Sequence, residues 1–165
     1  MPERAASPTI LALLLSVCLA PALAAQDLPE AEVKEEVRAA WDAYIEAFST
    51  RRTDVIAAEV YSAPSFRIGA EGAAVLGTAA ETEASFDAIH RQLAPERYDR
   101  SETDRTEICV INAGTALLSA YFTRYRTDGT VLMSGASSYL FAKVDGRWRI
   151  LANMANPARK LIACD

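Results

Sequence analysis

Between Val33 and Phe48 the apolar positions recur in steps of three and four, at Val33, Val37, Trp41, Tyr44 and Phe48, with acids and bases between them. That spacing lays one apolar stripe along a helix. Asp27, Pro29 and Glu30 supply a helix start, so a long amphipathic helix is predicted to about Phe48. A short helix over 54–61 follows, with Thr53 or Asp54 able to cap it and Pro64 ending it. Residues 65–69, SFRIG, are β-prone and turn through Ala70-Glu71-Gly72 into AVLG, the pattern of a small hairpin. Thr78 and Glu81 form a capping box, after which Phe86, Ile89, His90 and Leu93 mark one face of a third helix running up to Pro95. Residues 98–104 are polar and read as a connecting loop.

From Arg105 the period changes to alternation. Turn signals at Asn112-Ala113-Gly114, Asp128-Gly129 and Asp145-Gly146 divide the remainder into four strands, and the two Asp-Gly pairs read as two-residue type I′ turns. Pairing outward from those turns sorts the side chains by face, because cross-strand neighbours share a side. One face collects Leu118, Phe122, Val131, Met133, Tyr139, Phe141, Trp148, Ile150 and Met154 and is expected to be the core. The other collects Leu117, Ser119, Tyr121, Thr123, Tyr125, Ser134, Ala136, Ser138, Leu140, Leu151 and Asn153. It carries too few charges for a wetted sheet. We therefore expect a homodimer through the surface bearing Tyr121, Tyr125, Ser138, Leu140 and Leu151, with a solvated Ser/Thr/Tyr sheet as the alternative.

The expected fold class is α+β: an antiparallel sheet, made of a four-strand meander plus a short N-terminal hairpin, packed against three helices. Composition agrees with one domain: 165 residues, 51% apolar and 24% charged. A net charge of −5 and a pI near 5.0, with no local Lys/Arg cluster, argue against nucleic acid and anionic membranes as partners. Residues 1–25 read as a signal peptide. Arg4 precedes the apolar run ILALLLSVCLAPALA, and Ala22-Leu23-Ala24 is the small-x-small cleavage pattern. Pro21 and the small residues end that run short of a spanning helix, so no stable membrane anchor is expected after cleavage. Residues 26–165 are then a single secreted or periplasmic domain. Loss of the leader leaves Cys109 and Cys164, either bridged in an oxidising compartment or present as a buried thiol and an unpaired tail thiol. With no CxxC and no Cys/His cluster, no metal and no cofactor are expected.

The element order, the closing DGRWRI (Asp145 to Ile150), the GTAA before the third helix (Gly77 to Ala80) and the break with Asp54 after the first helix together resemble the nuclear transport factor 2-like, or SnoaL-like, superfamily, over about Val33 to Asn156. The resemblance implies a cone-shaped curved antiparallel sheet with a conical cavity between sheet and helices. Members include ketosteroid isomerases, dehydratases, polyketide cyclases, epoxide hydrolases and proteins with no known reaction, so the fold alone implies no activity.

Isomerase chemistry needs a carboxylate base and donors for an enolate oxygen. In register with that family, Tyr44 falls at the oxyanion tyrosine, but Ile68 falls at the aspartate base and the donor acid falls near Ser138 or Tyr139. An aliphatic side chain takes no proton, which argues against that reaction. His90, the only histidine, is with Tyr44 the candidate catalytic pair for an isomerase, dehydratase or cyclase-like enzyme. The structural alternative makes Tyr44 a core residue and His90 a satisfied helix-face residue, with Asp87 and Arg91 forming a surface pair. Further polar candidates are Arg124 and Asn156, which continue the core face of the meander toward strand ends, and Arg67, on the face of its strand opposite Phe66 and Ile68, so that one of these two sets looks inward. Glu71, Glu81 and Glu83 are explained by turns and helix starts. The reading we carry forward is a non-catalytic domain binding a small apolar or amphipathic molecule, its cavity lined by Trp41, Tyr44, Phe66, His90, Phe122, Tyr139 and Asn156. A dimeric interaction protein with a closed cavity is the second alternative.

Overall fold

A computed structural model describes residues 29–156 and 160–164; the expected signal peptide lies outside them. The chain forms α1 (Glu30–Ser49), a short α2 (Thr53–Val55) extended by a π turn (Ile56–Val60), β1 (Tyr61–Gly69), β2 (Gly72–Leu76), α3 (Ala79–Leu93) with a 3₁₀ turn (Ala94–Glu96), and β3 (Tyr98–Asn112), β4 (Thr115–Arg126), β5 (Val131–Val144) and β6 (Arg147–Asn156). The six strands form one curved, unclosed sheet in the order β2-β1-β6-β5-β4-β3, and three helices pack on it. All pairs are antiparallel except one: β1 runs parallel to β6 and joins the hairpin to the meander. The expectation of a purely antiparallel sheet is corrected there. A helical crossover intervenes between those two strands, as a parallel pair requires.

The predicted helix stripe is the buried one. Val33, Val37, Trp41, Tyr44, Ala47 and Phe48 are the buried residues of α1. The start of α3 is also as read: the Thr78 side chain accepts the Glu81 N–H, and Glu81 reaches back to the Gly77 N–H at 2.6 Å. Two stretches differ. Tyr61 opens β1 instead of closing a helix, and residues 98–104, read as a loop, are the first half of β3. Shifts of register after Tyr98, Thr103 and Val110 break the alternation of this edge strand, which is why its polar first half does not read as a strand.

Strand register decides which side chains face the helices. The Asp145-Gly146 turn has both residues in the left-handed region, φ 51° and 75°, as a type I′ turn demands. The Asp128-Gly129 turn is different. Only Gly129 is left-handed, and Arg126 pairs with Thr130 across a three-residue loop. A bulge at Leu132 then absorbs the extra residue, since Tyr125 faces Val131 whereas Arg124 faces Met133. Beyond it the pairing returns to the expected register, with Leu118 opposite Tyr139. Locally, however, Leu132 packs on the core and Val131 is 54% exposed, so the core assignment of Val131 is corrected.

A second bulge lies in β6. Phe141 faces Ile150 but Leu140 faces Ala152, leaving Leu151 as the extra residue. Every later residue of β6 is thereby turned over. Asn153 pairs with Tyr139 on the helix side, and Met154 pairs with Ser138 on the outer side, the reverse of the expected assignment for both. The same parity passes to β1, where Arg67 aligns with Asn153, while Phe66 and Ile68 align with Ala152 and Met154. Arg67 therefore faces the helices and Phe66 faces out.

The C-terminal residues 160–164 return over the outer face. Cys164 is bridged to Cys109 of β3, and the Ile162 N–H donates to Ser119 Oγ, which shares a hydrogen bond with Ser138 Oγ at 2.7 Å. Ser119 and Ser138 are 1% and 2% exposed as a result. The bridge spans 55 residues of sequence, a loop long enough for the cross-link to restrict the unfolded chain substantially. Cys164→Ser is expected to lower unfolding free energy by about 2–4 kcal/mol, read as a lower urea midpoint. Reductant should produce the same loss in the parent protein and no further loss in the variant.

Candidate functional site

Tyr44 stands at the centre of the space between α1 and the sheet. Its ring lies 5.4–6.2 Å from those of Trp41, Phe48, Tyr61, Phe86 and Tyr139. These rings fill the cone. Only about 20 Å³ stays open among Trp41, Tyr44, Phe48, Phe122, Arg124 and Tyr139, room for about one water. Trp41 is further fixed by its indole N–H, which donates to Thr103 Oγ1 at 2.9 Å. Burial pushes the phenols of Tyr44, Tyr61 and Tyr139 well above the ordinary tyrosine range. They therefore remain neutral hydroxyls, with Tyr44 in contact with the other two.

The open volume lies at the mouth of the cone, between the far ends of β4, β5 and β6. It is a groove of about 570 Å³ lined by Phe122, Arg124, Met133, Gly135, Ser137, Asn156 and their neighbours. Gly135 matters to its shape: a Cβ there would meet the Phe122 ring at 3.2 Å, so the outer end of the ring rests against bare backbone. Arg124 is the one charged residue of the lining. Its guanidinium lies 4.9 Å over Phe48 and 5.3 Å over Phe122, and its Nε is buried with no acceptor. No carboxylate and no imidazole line the groove among the described residues.

Of the residues expected to line a cavity, the structure brings Trp41, Tyr44 and Tyr139 together in the closed interior and places Phe122 and Asn156 at the mouth. Phe66 does not join them. It stands at odd spacing from the inward Tyr61 along β1, aligns with Ala152, and is 41% exposed on the opposite face. Arg67, its neighbour, faces in instead, donating to Ser85 Oγ at 2.6 Å and lying 5.2 Å over Phe86. Ile68, at the position of the isomerase base, also faces out, 40% exposed. Ser137 and Gly135 escaped the sequence reading because neither type marks a site; their even spacing from Tyr139 along β5 was the available signal.

His90 is separate. Its ring packs 4.6 Å from Phe48 and 6.2 Å from Tyr98, and both nitrogens are buried without partners. It borders a shallow groove with Arg51, Thr53, Asp87 and Arg91. Asp87 is taken by the Thr53 hydroxyl at 2.7 Å, in place of the expected pair with Arg91. Phe48 and Phe86 fill the space between His90 and Tyr44, so the two candidate catalytic residues share no cavity.

Desolvation, reinforced by the Arg51 and Arg124 charges, holds the His90 imidazole below its usual value, so it is neutral at pH 7. A base whose folded pKa is depressed takes its proton more readily when unfolded, so stability falls as pH drops through about 6.5 and below. His90→Phe should flatten the fall in melting temperature between about pH 7 and pH 5, measured by thermal melts across that range. An unchanged pH slope would show that His90 carries none of the effect.

A family model described as NTF2-like protein (DUF6841) matches residues 34–158. Among solved structures the chain is similar to Aln2 from a Streptomyces species, with a TM-score of 0.64, 20% identity, and coverage of 79% of this chain and 94% of that one. It is likewise similar to an NTF2-like protein with a cystatin-like fold from Novosphingobium aromaticivorans (TM-score 0.61, 18% identity, 75% and 80% coverage). A nuclear transport factor 2 (NTF2-like) superfamily protein from Salmonella enterica aligns with a TM-score of 0.58, at 16% identity over 78% and 93% of the two chains. A search of curated proteins finds no match. At these identities the structural likeness speaks for the fold, and the family match supplies the assignment: the chain belongs to the NTF2-like family DUF6841.

Proposed function

We propose that this domain binds a small amphipathic molecule at the mouth of its cone and catalyses no reaction there. The observation that carries the reading is the contrast between a packed interior of about 20 Å³ and an open groove of about 570 Å³ beside it. The larger volume is in the range of small-molecule sites, and its mixture of apolar walls with a few polar groups is the usual lining. The isomerase-like alternative draws no support from the arrangement. General acid-base work needs a titrating group within hydrogen-bond reach of the substrate, and the groove lining offers none near neutral pH.

Export belongs to the same proposal. The Cys109–Cys164 bridge supports it, because such bridges persist in oxidising compartments. Self-association through the outer sheet face is a second proposal, supported by the exposed apolar residues Phe66, Ile68 and Val75 at 41%, 40% and 58%. Light scattering of the protein without its leader at micromolar concentration should give twice the chain mass; a clean monomer would sink it.

The binding reading is tested by thermal shift with decanol, decanoate, a steroid and a planar polyketide-like aromatic. A ligand held at about 100 times its dissociation constant should stabilise by about 2.7 kcal/mol, a rise of several degrees for a domain of this size. Gly135→Val, which crowds Phe122 and occupies the groove, should remove the response while leaving a cooperative melt. A flat response across the panel in the parent protein would refute the reading.

A further inference from the structure

Most arginines of this acidic chain have obvious acceptors. Arg52, Arg97, Arg100 and Arg126 each lie within 3.4 Å of a carboxylate oxygen. Arg51 and Arg149 donate to backbone carbonyls. Arg124 is the exception at the groove. Among the described residues it has no carboxylate within 4.0 Å, and its sole hydrogen bond runs from Nη1 to the Met133 sulfur at 3.8 Å, a weak acceptor. Nε and Nη2, the two donors of the side-on fork, have no protein acceptor, and Nε is shielded from solvent.

A guanidinium fork is built to grip a planar oxyanion through two parallel hydrogen bonds. Here the guanidinium carbon lies 4.9 Å over the Phe48 ring and 5.3 Å over the Phe122 ring, so two aromatic rings hold the group at the groove while Nη2 keeps no protein acceptor. Such a group, desolvated at its Nε and unpaired, is costly to keep unless something completes it. The rest of the groove indicates the shape of that partner. Phe122, Met133 and the bare Gly135 backbone form an apolar wall, and Ser137 adds a neutral hydroxyl. One cation in the lining suits a single negative charge better than a dianion. The second inward arginine, Arg67, is occupied by Ser85 behind the aromatic cluster.

Resting on the binding function proposed above, we infer that the ligand is a monoanionic amphiphile, a carboxylate on an apolar chain or ring. Its carboxylate pairs with the Arg124 guanidinium, reached at Nη2, and its apolar part lies along Phe122 and Met133.

The test uses decanoate and 1-decanol, equal in length and below their micelle-forming concentrations, titrated calorimetrically into the parent protein, Arg124→Met and Arg124→Lys at pH 7.5. Decanoate is expected to bind at least tenfold tighter than decanol. Arg124→Met should abolish that preference while retaining decanol binding, and Arg124→Lys, a point charge without the fork, should keep only part of it. Equal binding of the two probes by the parent protein, or a carboxylate preference that survives in Arg124→Met, would overturn the anionic ligand while leaving the groove as a binding site. Binding of neither probe by the parent protein would overturn both. If Arg124→Met does not melt cooperatively, the parent protein's decanoate-to-decanol ratio and the Arg124→Lys ratio decide the matter.

Discussion

Tyr44 touches five other aromatic rings, and the space they share is the space that a conical sheet would otherwise leave empty. The packing follows from one spacing on α1. Trp41, Tyr44 and Phe48 follow one another at three and four residues, so they present a continuous aromatic ridge to the sheet. Tilted and edge-on contacts of this kind add to the area they bury. Once that ridge is seated, the space around Tyr44 has no room for a ligand, and the groove of about 570 Å³ lies where the ridge ends, beyond Phe48 at the tips of β4 to β6. The location of the groove and the neutrality of the three phenols both follow from this filling. So does the isolation of His90, because Phe48 and Phe86 occupy the path by which it would reach Tyr44.

The strand faces depend on two single-residue insertions. At Leu132 the bulge and the three-residue turn cancel, so Leu118, Phe122, Tyr139 and Phe141 stand where alternation from the turn puts them. At Leu151 nothing compensates, and the later residues of β6 are inverted relative to simple alternation, while a register shift between Tyr61 and Phe66 brings Arg67 of β1 into line with Asn153. Helix periodicity, the capping box at Thr78 and the Asp145-Gly146 turn were all legible because each rests on local chemistry. Neither bulge was, because Leu132 and Leu151 are ordinary strand residues with no glycine or proline to mark the insertion. The misassignment of Asn153 and Met154 has that one origin, whereas Phe66 faces out because it stands at odd spacing from the inward Tyr61.

The site was legible to a similar depth. Alternation placed Phe122 and Arg124 on the side of the sheet that the helices cover, and helix spacing placed His90 beside Phe86 and Leu93. What makes Arg124 unusual is the lack of an acid beside it, and that is a property of distant chain segments. Asp104 is bonded to Thr123, Glu36 is shared by Lys143 and Trp148, and Asp87 is held by Thr53. Each of these acids is committed elsewhere by long-range contacts that no local pattern encodes. A sequence can show that an arginine falls on an inner face; only the fold shows that it is left alone there.

The two sides of the sheet are also divided in use. On the outer side, the tail residues 160–164 lie over β3 and β4 and bury Ser119 and Ser138, so Ser138 cannot contribute to a contact with another copy while the tail is bridged to Cys109. The apolar residues left uncovered, Phe66, Ile68 and Val75, belong to the β1–β2 hairpin at the other end of the face. Along β1, Arg67 stands at even spacing from the inward Tyr61 and aligns with Asn153, so Phe66 and Ile68, with Val75 opposite Phe66, fall on the outer side. The hairpin end of the outer face is thus left uncovered by the disulfide-held tail and carries apolar surface for a contact.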